Sequence, residues 1–411
     1  MAIHPLVLVD GPPRCGKSTL ARQLAASSSA GAILARAGSP DGRRIMTKPL
    51  ELSAARPVIL DGATMDEART LEKILAAQPS AEPSTRSPAR PSTRPFTENS
   101  AQAVRLPRFV LVGGPFSKET RWAAPETRIT SGCSIIPNYP VRTSTITARL
   151  SLGPLTLAEV GRGSVRTHWL RGGYPEAYAA TSDSAAMENL ENLIAGISGG
   201  LLSSWGLPAS PTRLTTLLAG LAKGSRGQVN ENELARLLGA SRPTVCRWME
   251  RLELAGILRR VLRLPGQAGA RRTAQTPAWH IRDSGLIHCL LGMSGTADLR
   301  SSPRLATASW QAYVLEQTAA VIGPGTELGS YLSADGACIE LVLMKDDRIL
   351  AATTRLHLPG SPGKGASLAA QATGATDRRV VVLDGTARYI GGGFRTTGLA
   401  DFLDEVYNTY G

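Results

Sequence analysis

The segment Leu6–Leu24 narrows the choice of fold more than any other part of this chain. Leu6-Val-Leu-Val9 is a short apolar run of strand type, closed by Asp10. Gly11-Pro-Pro-Arg-Cys-Gly-Lys-Ser18 follows, and Thr19–Leu24 then takes helical spacing. A strand, a glycine loop and a helix in that order make a cradle for phosphate. Gly11 and Gly16 let backbone N–H groups turn inward, and the helix N-terminus adds the positive end of its dipole. Pro12, Pro13, Arg14 and Cys15 complete the wrapping loop, and Thr19 continues it into the helix. Lys17 is placed to reach the β- and γ-phosphates, and the Ser18 hydroxyl to ligate magnesium. A second metal anchor is needed at the end of another strand, and Pro57-Val-Ile-Leu-Asp61 offers one in Asp61. An ordinary strand-ending Asp-Gly turn is the competing reading of Asp61.

Much else is excluded by composition. With 411 residues, two or three domains of roughly 150 residues each are expected. Hydrophobic residues at 42% and charged residues at 19% rule out wholesale disorder and a fibrous chain. The longest apolar runs, Leu6–Val9 and Val380–Leu383, are far too short to span a bilayer, so no membrane is expected. The start reads as a strand rather than a secretory signal, and a cytoplasmic protein is the expectation. Cys15, Cys133, Cys246, Cys289 and Cys338 are scattered, which speaks against a disulfide framework and a zinc site. Forty-six basic residues against 33 acidic leave a net charge of +13, which favours polyanionic partners such as nucleic acid. Only seven of the 46 are lysine, so a chain-wide bias toward arginine explains the same excess.

Three regions follow from the pattern: a first domain over 1–180, a helical domain over 185–295 and a final α/β domain over 305–411. Residues 78–103, rich in Pro, Ser, Thr and Arg without apolar periodicity, read as a mobile insertion. Arg108–Val112 reads as a strand, and Ser117–Thr147 as irregular. Leu214–Leu221 and Asn230–Leu238 read as helices, and Ser241 caps a third with Pro243 in its first turn. Val245, Trp248, Met249 and Leu252 share one face of that third helix, with Arg242, Thr244 and Arg247 outward. A Gly- and Arg-rich loop over Arg263–Arg272 and a strand over Ala278–Ile281 complete a helix-turn-helix with a basic hairpin, the pattern of a winged helix. DNA is the partner such a module suggests, through Arg242, Arg247, Arg271 and Arg272, although the same fold also serves as a packing module. Beyond it, Trp310–Val321 reads as a helix, Cys338–Leu343 and Ile349–Ala352 as strands, Pro359–Ser367 as a loop, Val380–Leu383 as a strand and Asp401–Tyr407 as a closing helix.

Laid end to end, these pieces resemble a large prokaryotic family of AAA-type P-loop ATPases of unknown role, whose P-loop domain is joined to a winged helix and a C-terminal restriction-nuclease-like domain. Gly11–Leu20 is similar to the family's phosphate loop and Val58–Asp61 to its second magnesium strand. Leu150–Glu159, Leu170–Glu176 and Asp283–Leu286 are similar to three short signatures in the same order. The resemblance implies an α/β chain: a P-loop NTPase parallel sheet, a winged helix, and a small degenerate restriction-endonuclease-like domain. It implies binding of ATP and Mg2+, with weak hydrolysis coupled to the winged helix. The alternative is a non-enzymatic, nucleotide-gated DNA-binding regulator. A small-metabolite kinase would share Gly-Lys-Ser, but most of the chain lies beyond the first domain without an evident acceptor site. Departures from the family pattern bear on activity. Pro13 stands where the loop arginine is usual, with Arg14 one later. Gly62 replaces the glutamate that polarises water, the nearest acids being Asp66 and Glu67. Val112 replaces a polar sensor, and Ala148 precedes Arg149 in place of glycine. Gln311, Thr353 and Arg355 fall where the nuclease acids and lysine are expected, leaving Glu340, so nuclease activity is not expected. A homo-oligomer, with Arg149 or Arg171 offered to a neighbour, is a further arrangement that the resemblance implies.

Overall fold

The computed structural model describes residues 6–28, 31–53, 56–77, 108–113, 126–127, 141–143, 147–201, 210–224, 229–266 and 276–411. The stretch 78–103, Cys133, Arg271 and Arg272 lie outside the described residues. The chain is α/β, with one largely parallel sheet and one mixed sheet.

Seven strands form the first sheet: β1 (Leu6–Asp10), β2 (Ile33–Arg36), β3 (Val58–Ala63), β4 (Phe109–Gly113), β5 (Glu126–Thr127), β6 (Val141–Thr143) and β7 (Thr147–Ser151). Their order is β2-β3-β4-β1-β7-β6-β5. The first five in that order run parallel, and β6 and β5 extend the sheet antiparallel. Parallel strands covered on both faces need apolar residues at successive positions, and LVLV, VIL and FVLV supply them. Alternation then divides the runs between two cores. Leu6, Leu8, Leu60 and Leu111 pack with Ala68, Leu71 and Leu75 of the helix Met65–Ala76. Val9, Ile59, Val110 and Val112 pack with Leu20 and Ala21 of the helix Lys17–Ser27. The expectation of an irregular Ser117–Thr147 fails at β5 and β6, which have two and three residues and are too short to display an alternating pattern.

A helical layer follows. The helices Asp183–Gly196, Pro211–Ala222, Glu231–Leu238 and Arg242–Leu254 share one core that includes Leu190, Leu217, Leu234, Trp248 and Leu252. The expected caps are present: Asn230 accepts from the Glu233 N–H at 3.1 Å and Ser241 from the Thr244 N–H at 3.3 Å. An antiparallel hairpin of β8 (Leu258–Arg263) and β9 (Ala278–Ile281) comes next.

That hairpin does not stand alone. The second sheet comprises β8, β9, β10 (Glu327–Leu332), β11 (Cys338–Lys345), β12 (Arg348–Arg355), β13 (Asp377–Val382), β14 (Arg388–Ile390) and β15 (Phe394–Gly398), in the order β14-β15-β13-β12-β11-β10-β8-β9. Leu262 and Arg263 pair in parallel with Gly329 and Ser330 of β10. Arg263 therefore ends a strand, where a loop residue was expected, and donates to Ser330 Oγ at 2.8 Å. One face of this sheet is covered by the helices Pro303–Val321 and Leu399–Tyr410, the other by Lys364–Thr373. The last helix begins inside the segment expected as a loop. Its small buried residues Ala366, Ala369, Ala370 and Thr373 keep helical spacing, but they lack the bulk that makes periodicity visible beside Gly and Pro. Leu157, Trp169 and Leu170, expected in the first domain, pack with Trp310, Val314 and Phe402 of the C-terminal core. No helix among the described residues is long and apolar enough to cross a membrane.

Candidate functional site

The loop between β1 and the helix Lys17–Ser27 is shaped by its backbone. Gly11 has φ +150°, and a Cβ there would lie 2.0 Å from the Leu152 carbonyl oxygen that follows β7. Gly16 takes φ +100° and Arg14 φ +57°, a left-handed conformation uncommon outside glycine. Asp10 anchors the loop base: its Oδ1 accepts from Ser151 Oγ at 2.6 Å, and its carbonyl from the Leu152 N–H at 2.7 Å. Lys17 folds over the loop and donates from Nζ to the Gly11 oxygen at 2.9 Å and the Pro12 oxygen at 2.6 Å. Pro12, Pro13 and Cys15 are buried, while Arg14, Ser18 and Thr19 are exposed. Burial pushes the Cys15 thiol up, although Lys17 opposes the shift. Asp61 is level with Val112 of β4, which is level with Val9 of β1. β3 runs on to Ala63, so Asp61 does not end its strand as expected, and it lies two strands from the loop strand, about 10 Å across the sheet. Beyond it β3 bulges at Gly62, where φ is +78°. Glu67 is engaged as a capping residue, its Oε2 accepting from the Thr64 N–H at 2.7 Å.

The three short signatures meet in space. Leu155 donates its N–H to the Gly173 oxygen at 2.7 Å. The Gly173 N–H donates to Asp283 Oδ2 at 2.7 Å, and Asp283 Oδ1 accepts from the Leu286 N–H at 2.9 Å. Burial raises the Asp283 carboxyl to about 6 against these backbone donors. Next to it, Glu316 Oε1 accepts from Arg282 Nε at 2.7 Å and Arg259 Nη2 at 2.9 Å, and its Oε2 from Arg259 Nε at 2.6 Å. Burial would raise the Glu316 carboxyl, but the two guanidinium groups overcome it and hold it at about 2. His168 sits between the Leu155 oxygen at 2.9 Å and the Tyr313 hydroxyl at 2.8 Å. Burial lowers it to about 4, so the ring is neutral. Its Nε2 then carries the proton toward the carbonyl, and Nδ1 accepts from Tyr313. Arg282, Asp283, Ser284, His168, Tyr313 and Glu316 line a small polar cavity at this junction.

Contacts connect the loop to this junction. Arg14 Nη1 is 3.4 Å from Glu176 Oε2 in the segment Leu170–Glu176. A Cβ on Gly256, in the turn after the helix Arg242–Leu254, would lie 2.9 Å from Pro12 Cδ and 3.4 Å from Arg282 Nη1. Sequence reasoning missed Arg259, Arg282 and Glu316; the one signal was a lone acid in the otherwise uncharged run Gln311–Val321.

The other expected positions fare differently. Arg242 is exposed but paired with Glu231 at 2.7 Å, and Arg247 is exposed and rests 3.4 Å from Thr244 Oγ1. Between residues 231 and 254 the four arginines 236, 242, 247 and 251 face four glutamates, 231, 233, 250 and 253, so this surface carries none of the excess charge. Arg171 points inward, donating to Asp183 at 2.7 Å and to the Ala180 oxygen at 2.6 Å, and is not free to serve a neighbour. Arg149 lies within β7 opposite Leu8. Gln311, on the helix Pro303–Val321, is buried, as are Glu340 and Thr353 of the second sheet, and Arg355 donates to Thr353 Oγ1 at 3.0 Å and the Pro362 oxygen at 3.1 Å. Among the described residues no group of three or more His, Cys, Asp or Glu could hold a metal ion.

Comparison with known proteins reaches the junction more directly than the loop. Residues 162–297 match a domain of unknown function (DUF8612). That span holds the helices Glu231–Leu238 and Arg242–Leu254, the hairpin and Asp283, and excludes the loop, Asp61 and Glu316. Two uncharacterized mycobacterial proteins, Rv2008c of Mycobacterium tuberculosis and Mb2031c of Mycobacterium bovis, are each 28% identical over 329 residues. The alignment covers 79% of this chain and 64% of each relative. No solved structure matches.

Proposed function

We propose that the chain binds a nucleoside triphosphate, ATP, with Mg2+ at the loop Gly11–Ser18, and that its hydrolysis, where it occurs, is slow. The observation that carries this reading is Lys17: its ammonium lies over a loop opened by Gly11 and Gly16, on carbonyl oxygens that a phosphate would replace. A cation curled inside a backbone cradle at the C-terminal end of a parallel strand suits a polyphosphate. Ser18 and Asp61 would hold the magnesium, the hydroxyl being exposed at the helix start and the carboxylate half-buried on β3 just before the bulge at Gly62. When bound, magnesium would neutralise charge on the phosphate oxygens. The bulge at Gly62 offers no carboxylate to orient water, and loss of such a group lowers turnover by roughly 10²–10⁴-fold. The order β7-β1-β4-β3-β2, with a strand between the loop strand and the Asp61 strand, supports a P-loop domain of the AAA type.

A titration of the full chain with a fluorescent ATP analogue and magnesium tests the proposal. Binding that weakens roughly 10–100-fold in Lys17→Ala supports it; equal, negligible affinity in both proteins overturns it. A second reading, a nucleotide-gated DNA-binding regulator, is favoured by the exposed start of the helix Arg242–Leu254 beside the hairpin, the surface that a winged helix would use. Gel shifts at several salt concentrations decide it: a regulator loses affinity steeply with salt and keeps a sequence preference. Absence of any DNA binding ends that reading.

A further inference from the structure

Resting on the phosphate-loop reading, we propose that the turn Ala255–Ile257 forms one wall of the nucleotide cradle and relays its occupancy to the helix Arg242–Leu254. The prolines at the loop's tip are buried, whereas Ser18 and Thr19 on its other side are exposed. Part of what closes over Pro12 is Gly256. A Cβ there would meet Pro12 Cδ at 2.9 Å and Pro12 N at 3.4 Å, so Gly256 packs against the Pro12 ring with no room for a side chain between them. Gly256 adopts φ +73°, which a side chain would strain as well as crowd.

The turn is an extension of the helix rather than a loose connector. The Gly256 N–H donates to the Glu253 oxygen at 2.9 Å and the Ile257 N–H to the Leu252 oxygen at 2.9 Å. On its far side the Ile257 oxygen accepts from the Arg282 N–H at 3.0 Å, and Arg282 is itself fixed by Glu316. The loop has an internal donor that a ligand would remove. Lys17 now donates to the Pro12 oxygen at 2.6 Å, and a phosphate would compete for that ammonium. Pro12 cannot respond without pressing on or leaving Gly256. Whatever the nucleotide does to the turn, a partner holding the helix must do in return to nucleotide affinity, because coupling between two binding sites is reciprocal.

Two measurements test the relay. Amide hydrogen exchange on the full chain, with and without a non-hydrolysable ATP analogue and magnesium, should change at least about threefold in peptides covering 250–260, with no comparable change in the remote helix Lys364–Thr373. Nucleotide binding without that change removes the relay and leaves the phosphate-loop reading standing; no nucleotide binding removes both. Gly256→Ala and Gly256→Asn carry the same Cβ, but Asn tolerates the left-handed backbone better. Both should weaken nucleotide binding about tenfold, since small displacements of a binding group are costly. Circular dichroism confirms that each variant is folded. Unchanged affinity in both, or weakening only in the less stable Ala variant, overturns the contact as part of the cradle.

Discussion

The two ends of the molecule hold polar groups in different ways. The loop Gly11–Ser18 is a main-chain device: its shape rests on positive φ at Gly11, Arg14 and Gly16 and on a carbonyl contact at Leu152. The junction and the second sheet depend on side chains: Glu316 between Arg259 and Arg282, Asp283 against Gly173, and Arg355 on Thr353 Oγ1 and the Pro362 oxygen. A cradle of N–H groups tolerates many side chains, provided the turn survives. A network of buried charges does not survive the loss of one partner. The two regions therefore differ in how much substitution each accepts.

Substitutions can break or sharpen that contrast. The largest effect is expected at Glu316. Glu316→Ala leaves Arg259 and Arg282 largely buried without their counter-charge, which should cost about 3–5 kcal/mol in denaturant unfolding. An effect below 1 kcal/mol would mean that the junction is not held by this network.

Acid titration should give the next largest effect. His168, His280 and His288 are lowered by burial to about 4, so their stabilisation is present above pH 6.5 and is lost as pH falls toward 4. Asp283 opposes them: raised by burial to about 6, it stabilises fully below the ordinary 3.8, and that contribution is lost as pH rises through 6. Asp283→Asn removes the compensation and should steepen the acid loss of stability between pH 6 and pH 4, by up to about 3 kcal/mol for a shift of two units. Melting temperatures across that range would show it, and an unchanged slope would contradict it.

At the main-chain end, Lys17→Ala should weaken nucleotide binding roughly 10–100-fold, the worth of a charged hydrogen bond of about 1.5–3 kcal/mol, as read by titration. Gly62→Glu should cost about 1–2 kcal/mol through its left-handed backbone and add no phosphate release, because the bulge does not direct a side chain as a regular strand would. A gain in hydrolysis would refute that account. Least affected is Arg242→Ala, whose exposed guanidinium adds little through its pair with Glu231; unfolding should barely change.

How much was legible in advance follows the same division. Three strands of the first sheet, β1, β3 and β4, were readable because Leu6–Val9, Val58–Leu60 and Phe109–Val112 are unbroken apolar runs next to turn residues, whereas the shorter β2, β5, β6 and the mixed β7 were not. The caps Asn230 and Ser241 were readable because capping is local chemistry. The helix Lys364–Thr373 was not, since alanine buries without announcing a pattern. Strands β10, β14 and β15 went unassigned: Gly329, Ser330, Thr396 and Thr397 are buried by their neighbours rather than by being apolar. The Arg259–Glu316–Arg282 network was invisible because its partners lie 34 and 57 residues apart and meet only through the fold. The weak signatures at Leu150–Glu159, Leu170–Glu176 and Asp283–Leu286 were visible as strings, but not as one hydrogen-bonded junction.

The pairing of β8 with β10 has a practical consequence. A fragment trimmed to residues 162–297 would lose β10 and Glu316 together, exposing a raw strand edge and stranding two guanidinium groups. Such a piece should be sticky and poorly behaved, so the recurring segment is better regarded as a keystone within a larger arch than as a brick that stands by itself.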